Sequence, residues 1–278
     1  MIRALYLFII LTIVSCNNSN HKYDSVQSNE LRIISLAPSI TTELISLELE
    51  KNIVGATTFC SISAQNPELI IGNAIEVNIE KILLLKPDIV FATGLTEPST
   101  ISSLKQNGIK IHMMPKLQSY NDICEDFLKI GKLVNKEDVA LKIISESNHK
   151  VDSLKKLLIG NNSKPKVYMQ IGANPLFTVI PNTFMNDYIT FSGCENLAFD
   201  FNQGSITRES VLTRNPDIIF IVTMGMIGDQ EKQVWESYPE INATKNHKIF
   251  IIDSNLACTP TVTSFTQTLE QVIKNIYN

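Results

Sequence analysis

From residue 31 onward, short aliphatic runs alternate with segments whose apolar positions recur every three or four residues. The short runs predict strands at 32–36, 53–57, 89–92, 109–113, 166–171, 218–223 and 248–252. Several are nearly continuous in Val and Ile, the pattern of strands covered on both faces in a parallel sheet. The intervening segments at 41–49, 79–85, 96–107 and 209–213 read as helices. Such alternation defines an α/β chain.

Residues 119–160 break the rhythm with no strand signal. Ser119 or Asn121 can cap a helix running to Val134, and Asn135 is a stop signal. A second helix then carries Val139, Ile143, Ser147, Val151, Leu154 and Leu158 on one apolar stripe. A helix of this length spans roughly 35 Å at 1.5 Å per residue, about the width of a small domain. It is either a surface helix on one continuous domain or a strut between two lobes.

A repeat favours the strut. Glu80 stands seven residues before Pro87-Asp88-Ile89, and Glu209 stands seven before Pro216-Asp217-Ile218; Leu83 matches Leu212, Phe91 matches Phe220, and the offset is 129 residues throughout. Each unit is a short helix stopped by Pro and followed by a buried strand. The expected organisation is therefore an N-terminal lobe at 31–135, a connecting helix at 136–160 and a C-terminal lobe at 161–278. The last lobe closes with a helix at 262–277 striped by Phe265, Leu269, Val272 and Ile276, which must pack on one of the lobes.

The first thirty residues differ in kind. Residues 4–14 are apolar apart from Thr12 and follow a single charge at Arg3. That run is too short for a membrane-crossing helix, which needs about twenty residues, and has the size of a signal-peptide core. It ends in Ile13-Val14-Ser15-Cys16, which resembles a bacterial lipobox. The expectation is a lipoprotein signal segment at 1–16 with Cys16 lipidated, then a polar tether at 17–30. This places the protein in the periplasm or cell envelope, lipid-anchored to the membrane.

With 24 Lys plus Arg against 28 Asp plus Glu, the net charge of −4 excludes a nucleic-acid partner. A composition of 44% hydrophobic and 19% charged residues suits large cores. Cys60, Cys124, Cys194 and Cys258 permit three complete disulfide pairings, and none lies at metal-binding spacing. No dinucleotide, P-loop, nucleophile-elbow or zincin motif is present, and the four His are scattered at 21, 112, 149 and 247.

The informative residues follow the predicted strands, where open parallel sheets bind ligands. They are Pro38 and Ser39, Phe59 and Cys60, Gly94 and Leu95, Asn174 and Phe177, Met224 and Met226, and Asp253 and Asn255. This set is aromatic, Met-containing and polar with almost no charge, which suits a large amphipathic ligand. Glu80 and Glu209 follow Asn78 and Thr207 by two, so each sits in a first helical turn where the macrodipole favours a carboxylate. Their recurrence also suits a second role, one acid per lobe tip meeting basic sockets on a two-fold partner.

Residues 32–44 (RIISLAPSITTEL), the Gly55-to-Cys60 turn, both Glu/Pro-Asp units and 171–177 through 193–196 resemble the cobalamin-binding proteins of bacterial ABC importers. These belong to the helical-backbone, class III periplasmic binding proteins, which also include ferric-siderophore and haem receptors. The resemblance implies two Rossmann-like lobes joined by a single long α-helix, with a non-covalently held ligand between them and no catalytic residues, cofactor or metal. It places Phe59 against a corrin ring, Phe177 on the second lobe's wall and Asp253 as a cleft acid. Glu80 and Glu209 become the residues that dock a monomer onto an ABC permease dimer with its cytoplasmic ATPase. Where related proteins can carry stacking tryptophans ahead of each Glu, this chain has Ala74 and Gln203; its Trp235 lies elsewhere. A siderophore, haem or a surface enzyme acting in the same cleft are the alternatives.

Overall fold

The computed structural model describes residues 30–160, 163–222 and 228–277; Cys16, the tether up to residue 29, and Met224 and Met226 lie outside them. Residues 31–278 form one compact unit. In chain order it begins β1 (Ile33–Ser35), α1 (Pro38–Ser46), β2 (Ile53–Ala56), α2 (Ile79–Leu85), β3 (Ile89–Ala92), α3 (Pro98–Gln106) and β4 (Ile111–Met113), then α4 (Tyr120–Leu133) and α5 (Glu137–Lys156). The second half contains β5 (Lys166–Ala173), β6 (Leu176–Thr178), α6 (Asn186–Phe191), β7 (Glu195–Asn196), α7 (Arg208–Arg214), β8 (Ile218–Ile221), α8 (Gly228–Glu236), α9 (Asn242–Lys245), β9 (Ile249–Ile251), α10 (Ser254–Ala257) and α11 (Val262–Tyr277).

The first half is a parallel sheet of order β2-β1-β3-β4, and the second repeats it as β7-β5-β8-β9 with β6 added antiparallel on β5. The repeat seen in the sequence is an identical latch at the base of each sheet. α2 and α7 both end on a left-handed residue, Lys86 and Asn215, and a buried Pro follows. The Asp88 carboxylate then accepts the Arg32 amide at 2.7 Å while its own N–H donates to the Arg32 carbonyl. Asp217 does the same with Lys166, at 2.8 Å. Pro ends the helix and Asp pins the new strand to the central one.

Several boundaries differ from expectation. α1 starts at Pro38 because proline is pre-organised for the first helical position and has no N–H to leave unsatisfied there. β6 and β7 were not foreseen: two or three residues carry too little periodicity to register. The helix expected at 136–160 spans Glu137–Lys156, and Asn135 ahead of it adopts φ 58°, the left-handed stop its residue type suggested.

Alternation along the strands sorts side chains into two faces. Ile34, Val90 and Ala92 fill the outer layer of the first sheet, and Tyr168, Ile219 and Ile221 that of the second. Ile33, Ile89 and Phe91, together with Val167, Met169, Ile218 and Phe220, enter one continuous apolar core shared by both halves. α4, α5 and α11 supply its helical layer, so α5 is packed on two sides and is not a bare strut. α11, expected to pack on one lobe, touches α4, α5 and α6. At the centre Phe265 stacks on Tyr120 of α4 (4.4 Å between centroids) and on Tyr188 of α6 (4.7 Å). Asp187 of α6 also accepts the Tyr120 amide at 2.8 Å.

A shared core predicts shared unfolding. The sole Trp, Trp235, is buried in the second half, so its fluorescence reports that half while circular dichroism reports both. The two urea transitions should coincide. Phe265→Ala should lower stability by about 3–5 kcal/mol, the cost of truncating a buried aromatic residue. Separate transitions in the wild type would show that the halves fold independently.

α1 also buries Glu43, one of whose carboxylate oxygens has no hydrogen-bond partner. Burial, reinforced by repulsion from buried Asp126, pushes its pKa well above the usual carboxylate range. Asp126 is in turn hydrogen-bonded to His112 at 3.2 Å. The folded state therefore holds the Glu43 proton more tightly than the unfolded chain, and this stabilisation fades as pH rises from the ordinary value of 4.5 through the raised one. The gap in melting temperature between Glu43→Gln and wild type should consequently move in the variant's favour across that range. Parallel pH profiles would show that Glu43 is ionised in the fold.

Candidate interlobe ligand site

Loops at the carboxyl ends of both sheets converge on a cavity of about 530 Å³ between the halves. The first half contributes Pro38, Thr42 and Ser46 from α1, and Phe59 and Ser61 from the loop after β2. The second contributes Asn255 and Leu256 of α10, Thr259 and Thr261 of the following turn, and Thr263, Ser264 and Gln267 of α11. Among the described residues no Lys, Arg, Asp or Glu lines it.

Phe59 is presented by a tight turn. Thr57 is buried, its carbonyl accepts from the Cys60 N–H and the Ser63 hydroxyl, and its own hydroxyl lies 3.2 Å from the Cys60 sulfur. With both flanks of the turn tied down, the Phe59 ring stands 73% exposed. On the other half Phe177 is 41% exposed. Gly204 makes room for it: a Cβ there would lie 3.2 Å from the Phe177 ring and 3.0 Å from the Thr178 carbonyl oxygen. Exposed aromatic rings held rigidly contribute little to the core and are available to a ligand.

The residues singled out in the sequence separate by role in the structure. Pro38, Phe59 and Asn255 share the cavity wall. Ser39 and Cys60 are buried beneath that lip and support it. Asn174 and Phe177, at the β5–β6 turn, are exposed but do not line the cavity. The Asp253 carboxylate caps α10, accepting the Asn255 N–H at 2.8 Å. Thr42, Ser46, Thr263 and Gln267 were missed, because polar residues on a helix read as a solvated face; their four-residue spacing was the available signal. All four cysteines of the described residues are free thiols, and no group of three or more His, Cys, Asp or Glu among those residues could hold a metal. A separate cavity of about 420 Å³ beside Lys164, Cys194 and Glu195 lies at the amino end of β5, away from the converging loops.

At the tips, Asn78 and Thr207 cap α2 and α7 by accepting the Lys81 and Ser210 amides. Glu80 and Glu209 follow in the first turns, exposed, and neither carboxylate has a hydrogen-bond or ion-pair partner among the described residues. Their neighbouring cations are directed elsewhere. Lys81 donates to the carbonyls of Glu68 and Ile70, both at 2.8 Å. Arg208 lies 4.4 Å over the Trp235 ring and pairs with Glu231 at 3.0 Å. Glu231 and Trp235 also bond to the buried Gln170 side chain, which anchors this network to β5.

Comparison with known proteins supplies the context. Residues 33–256 match the family model described as periplasmic binding protein. An uncharacterized ABC transporter substrate-binding lipoprotein, YvrC of Bacillus subtilis, is 24% identical over 271 residues, covering 95% of this chain and 85% of the relative. The vitamin B12-binding protein of Vibrio campbellii is 26% identical over 237 residues, covering 83% and 84%. The crystal structure of the periplasmic haem-binding protein HutB of Vibrio cholerae superposes with a TM-score of 0.78 at 16% identity, covering 90% of this chain and 100% of that one, which shows a common fold. No helix among the described residues is long and apolar enough to cross a membrane. With its paired parallel sheets and a family match over most of its length, the chain belongs to the periplasmic binding protein family and is a binding protein, not an enzyme.

Proposed function

We propose that this protein captures a cobalamin-like corrinoid in the interlobe cleft and delivers it to an ABC importer. The observation that carries the reading is the wall of the cavity: aromatic at Phe59, otherwise hydroxyl, amide and aliphatic, and without a charged side chain among the described residues. A corrin ring edged with carboxamides needs an apolar face and neutral hydrogen-bond partners. Haem carries two carboxylates, and ferric siderophores are commonly anionic; both favour cations that this wall lacks. Relatives named as vitamin B12-binding and cobalamin-binding proteins support the same ligand class. Likeness to HutB favours haem as the second reading; among the described residues the cavity wall contains no His, Tyr or Met, and Met224 and Met226, the axial candidates in the sequence, lie outside those residues. Lipidation at Cys16 would hold the protein at the membrane, in keeping with the name of the Bacillus relative.

The unpaired Glu80 and Glu209 serve as docking points for an ABC permease dimer. An exposed carboxylate is worth little within a monomer but pairs strongly with arginine once an interface excludes water.

Protein lacking residues 1–16, titrated calorimetrically with cyanocobalamin, haemin and ferrichrome, should bind cyanocobalamin alone, with a Kd of about 1 μM or tighter. Tighter binding of haemin would transfer the assignment to the second reading. Charge reversal at both tips, Glu80→Lys with Glu209→Lys, should abolish importer-dependent uptake of labelled cobalamin and leave its affinity unchanged. Loss of affinity would place these residues in the site or the fold instead.

A further inference from the structure

Where α5 ends, the chain turns apolar side chains toward solvent. The helix closes in a tight turn in which the amides of Leu157, Leu158 and Ile159 each donate to the carbonyl three residues back, at 3.1–3.2 Å. Gly160 then takes φ 92°, in the left-handed region that favours glycine, with open space around it. Leu158 is half-buried against the shared core and pins the turn. Its neighbours are not covered: Leu157 is 75% and Ile159 81% exposed. Leu154, Leu157 and Leu158 also line a groove of about 370 Å³ together with Glu270, Ile273, Lys274 and Tyr277 of α11.

The same stretch is basic in a chain that is acidic overall. Residues 150–166 contain five Lys against one acid, Asp152, whereas the whole chain carries −4. Lys150 pairs with Glu270, and the Lys155 ammonium lies 3.6 Å from the Phe191 ring centroid. The exposed Lys156, Lys164 and Lys166 ammonium groups have no hydrogen-bond or ion-pair partner among the described residues. Of the other acids close by, Asp217 accepts the Lys166 amide and the Asn242 side chain, and Glu195 stands beside Lys166 in the β5–β7 register. Screening over roughly 8 Å at physiological salt makes this local excess of lysine, not the distant acids, the field that an approaching surface meets.

Protruding aliphatic side chains flanked by lysines match the boundary of an anionic bilayer, where apolar groups enter the acyl region and ammonium groups stay among the headgroups. A second copy of the chain fits less well. A two-fold interface would set these lysines against one another, and a stable one buries about 800 Å² on each partner, more than a single turn offers. We propose that this turn is a membrane-surface contact, with Leu157 and Ile159 entering the headgroup–acyl boundary and Lys156, Lys164 and Lys166 meeting anionic headgroups. Lys166 opens β5, whose carboxyl end leads toward the cavity loops roughly 23 Å along the strand. Contact through the turn therefore holds the second half with those loops directed away from the lipid. It adds a contact made by the protein itself to the anchoring proposed at Cys16, and it depends neither on that anchor nor on which ligand the cavity takes.

Protein lacking residues 1–16 carries no lipid and retains the compact unit 31–278. It should co-sediment with phosphatidylcholine vesicles containing about 30% phosphatidylglycerol about tenfold better than with phosphatidylcholine alone. Lys156→Glu with Lys164→Glu should weaken that binding about tenfold, and Leu157→Asn with Ile159→Asn by a similar factor. Melting temperatures should not change, because all four positions are exposed. The charge-matched pair Lys105→Glu with Lys110→Glu, exposed on the first half, should leave vesicle binding intact. An equal loss in that pair would assign the binding to net charge, and full binding by the asparagine pair would show that nothing inserts. A wild-type dimer in sedimentation velocity that the asparagine pair abolishes would give the turn to a second copy. Each of these results overturns the proposal, as does a failure of the wild type to bind anionic vesicles.

Discussion

The ring stack of Tyr120, Phe265 and Tyr188 is the constraint on which the remaining geometry depends. It joins one helix from each half through a third that belongs to both, with centroid separations of 4.4 and 4.7 Å. Rings buried this closely do not slide past one another without losing dispersion contact and admitting water. The Asp187–Tyr120 hydrogen bond fixes the same junction, its carboxylate pKa raised by burial and partly held down by that bond. With the two sheets set against a common layer, their carboxyl-end loops are placed relative to each other by the core. The cleft is thus a consequence of how the halves are joined, and large hinge motion would have to break the most apolar part of the molecule.

Charge is distributed to match. Among the described residues the buried acids do not line the cavity: Glu43 and Asp126 lie in the first half, and Glu231, paired with half-buried Arg208, in the second. The wall itself is neutral among the described residues. A neutral wall avoids the desolvation cost that any charged lining would impose on a ligand without a matching charge. In the first turns of α2 and α7 the opposite choice is made, and both carboxylates stay in water without partners among the described residues.

How much of this was legible in the sequence follows from which signals are local. The Pro-Asp units were readable because a helix stop and a strand latch each require particular residue types, and both recur. The stripe of α5 was readable for the same reason. The ownership of α11 was not, since Phe265 looks identical in sequence whether its neighbours are Tyr120, Tyr188 or both. Asp253 illustrates a second limit: a carboxylate two residues ahead of an amide that it caps cannot be distinguished by pattern from one that meets a ligand. Ser39, on the first turn of α1, and Cys60, in the loop after β2, follow strands as ligand residues do, but only packing reveals that their side chains are buried.

The arrangement around Glu80 and Glu209 shows the same division between pattern and packing. In both halves the adjacent residue is a cation, Lys81 or Arg208, on the same first turn. Left free, either would screen its neighbouring carboxylate. Each is instead held by groups behind the helix, Lys81 by two backbone carbonyls and Arg208 by Glu231 and the face of Trp235. The two cations stand on opposite sides of the repeated acid, Lys81 one residue after Glu80 and Arg208 one residue before Glu209, and different chemistry holds each. What they share is the outcome, an acid at each tip whose nearest positive charge is committed elsewhere. A surface that keeps two carboxylates unpaired in this way retains its capacity to pair across an interface, where exclusion of water multiplies the value of each.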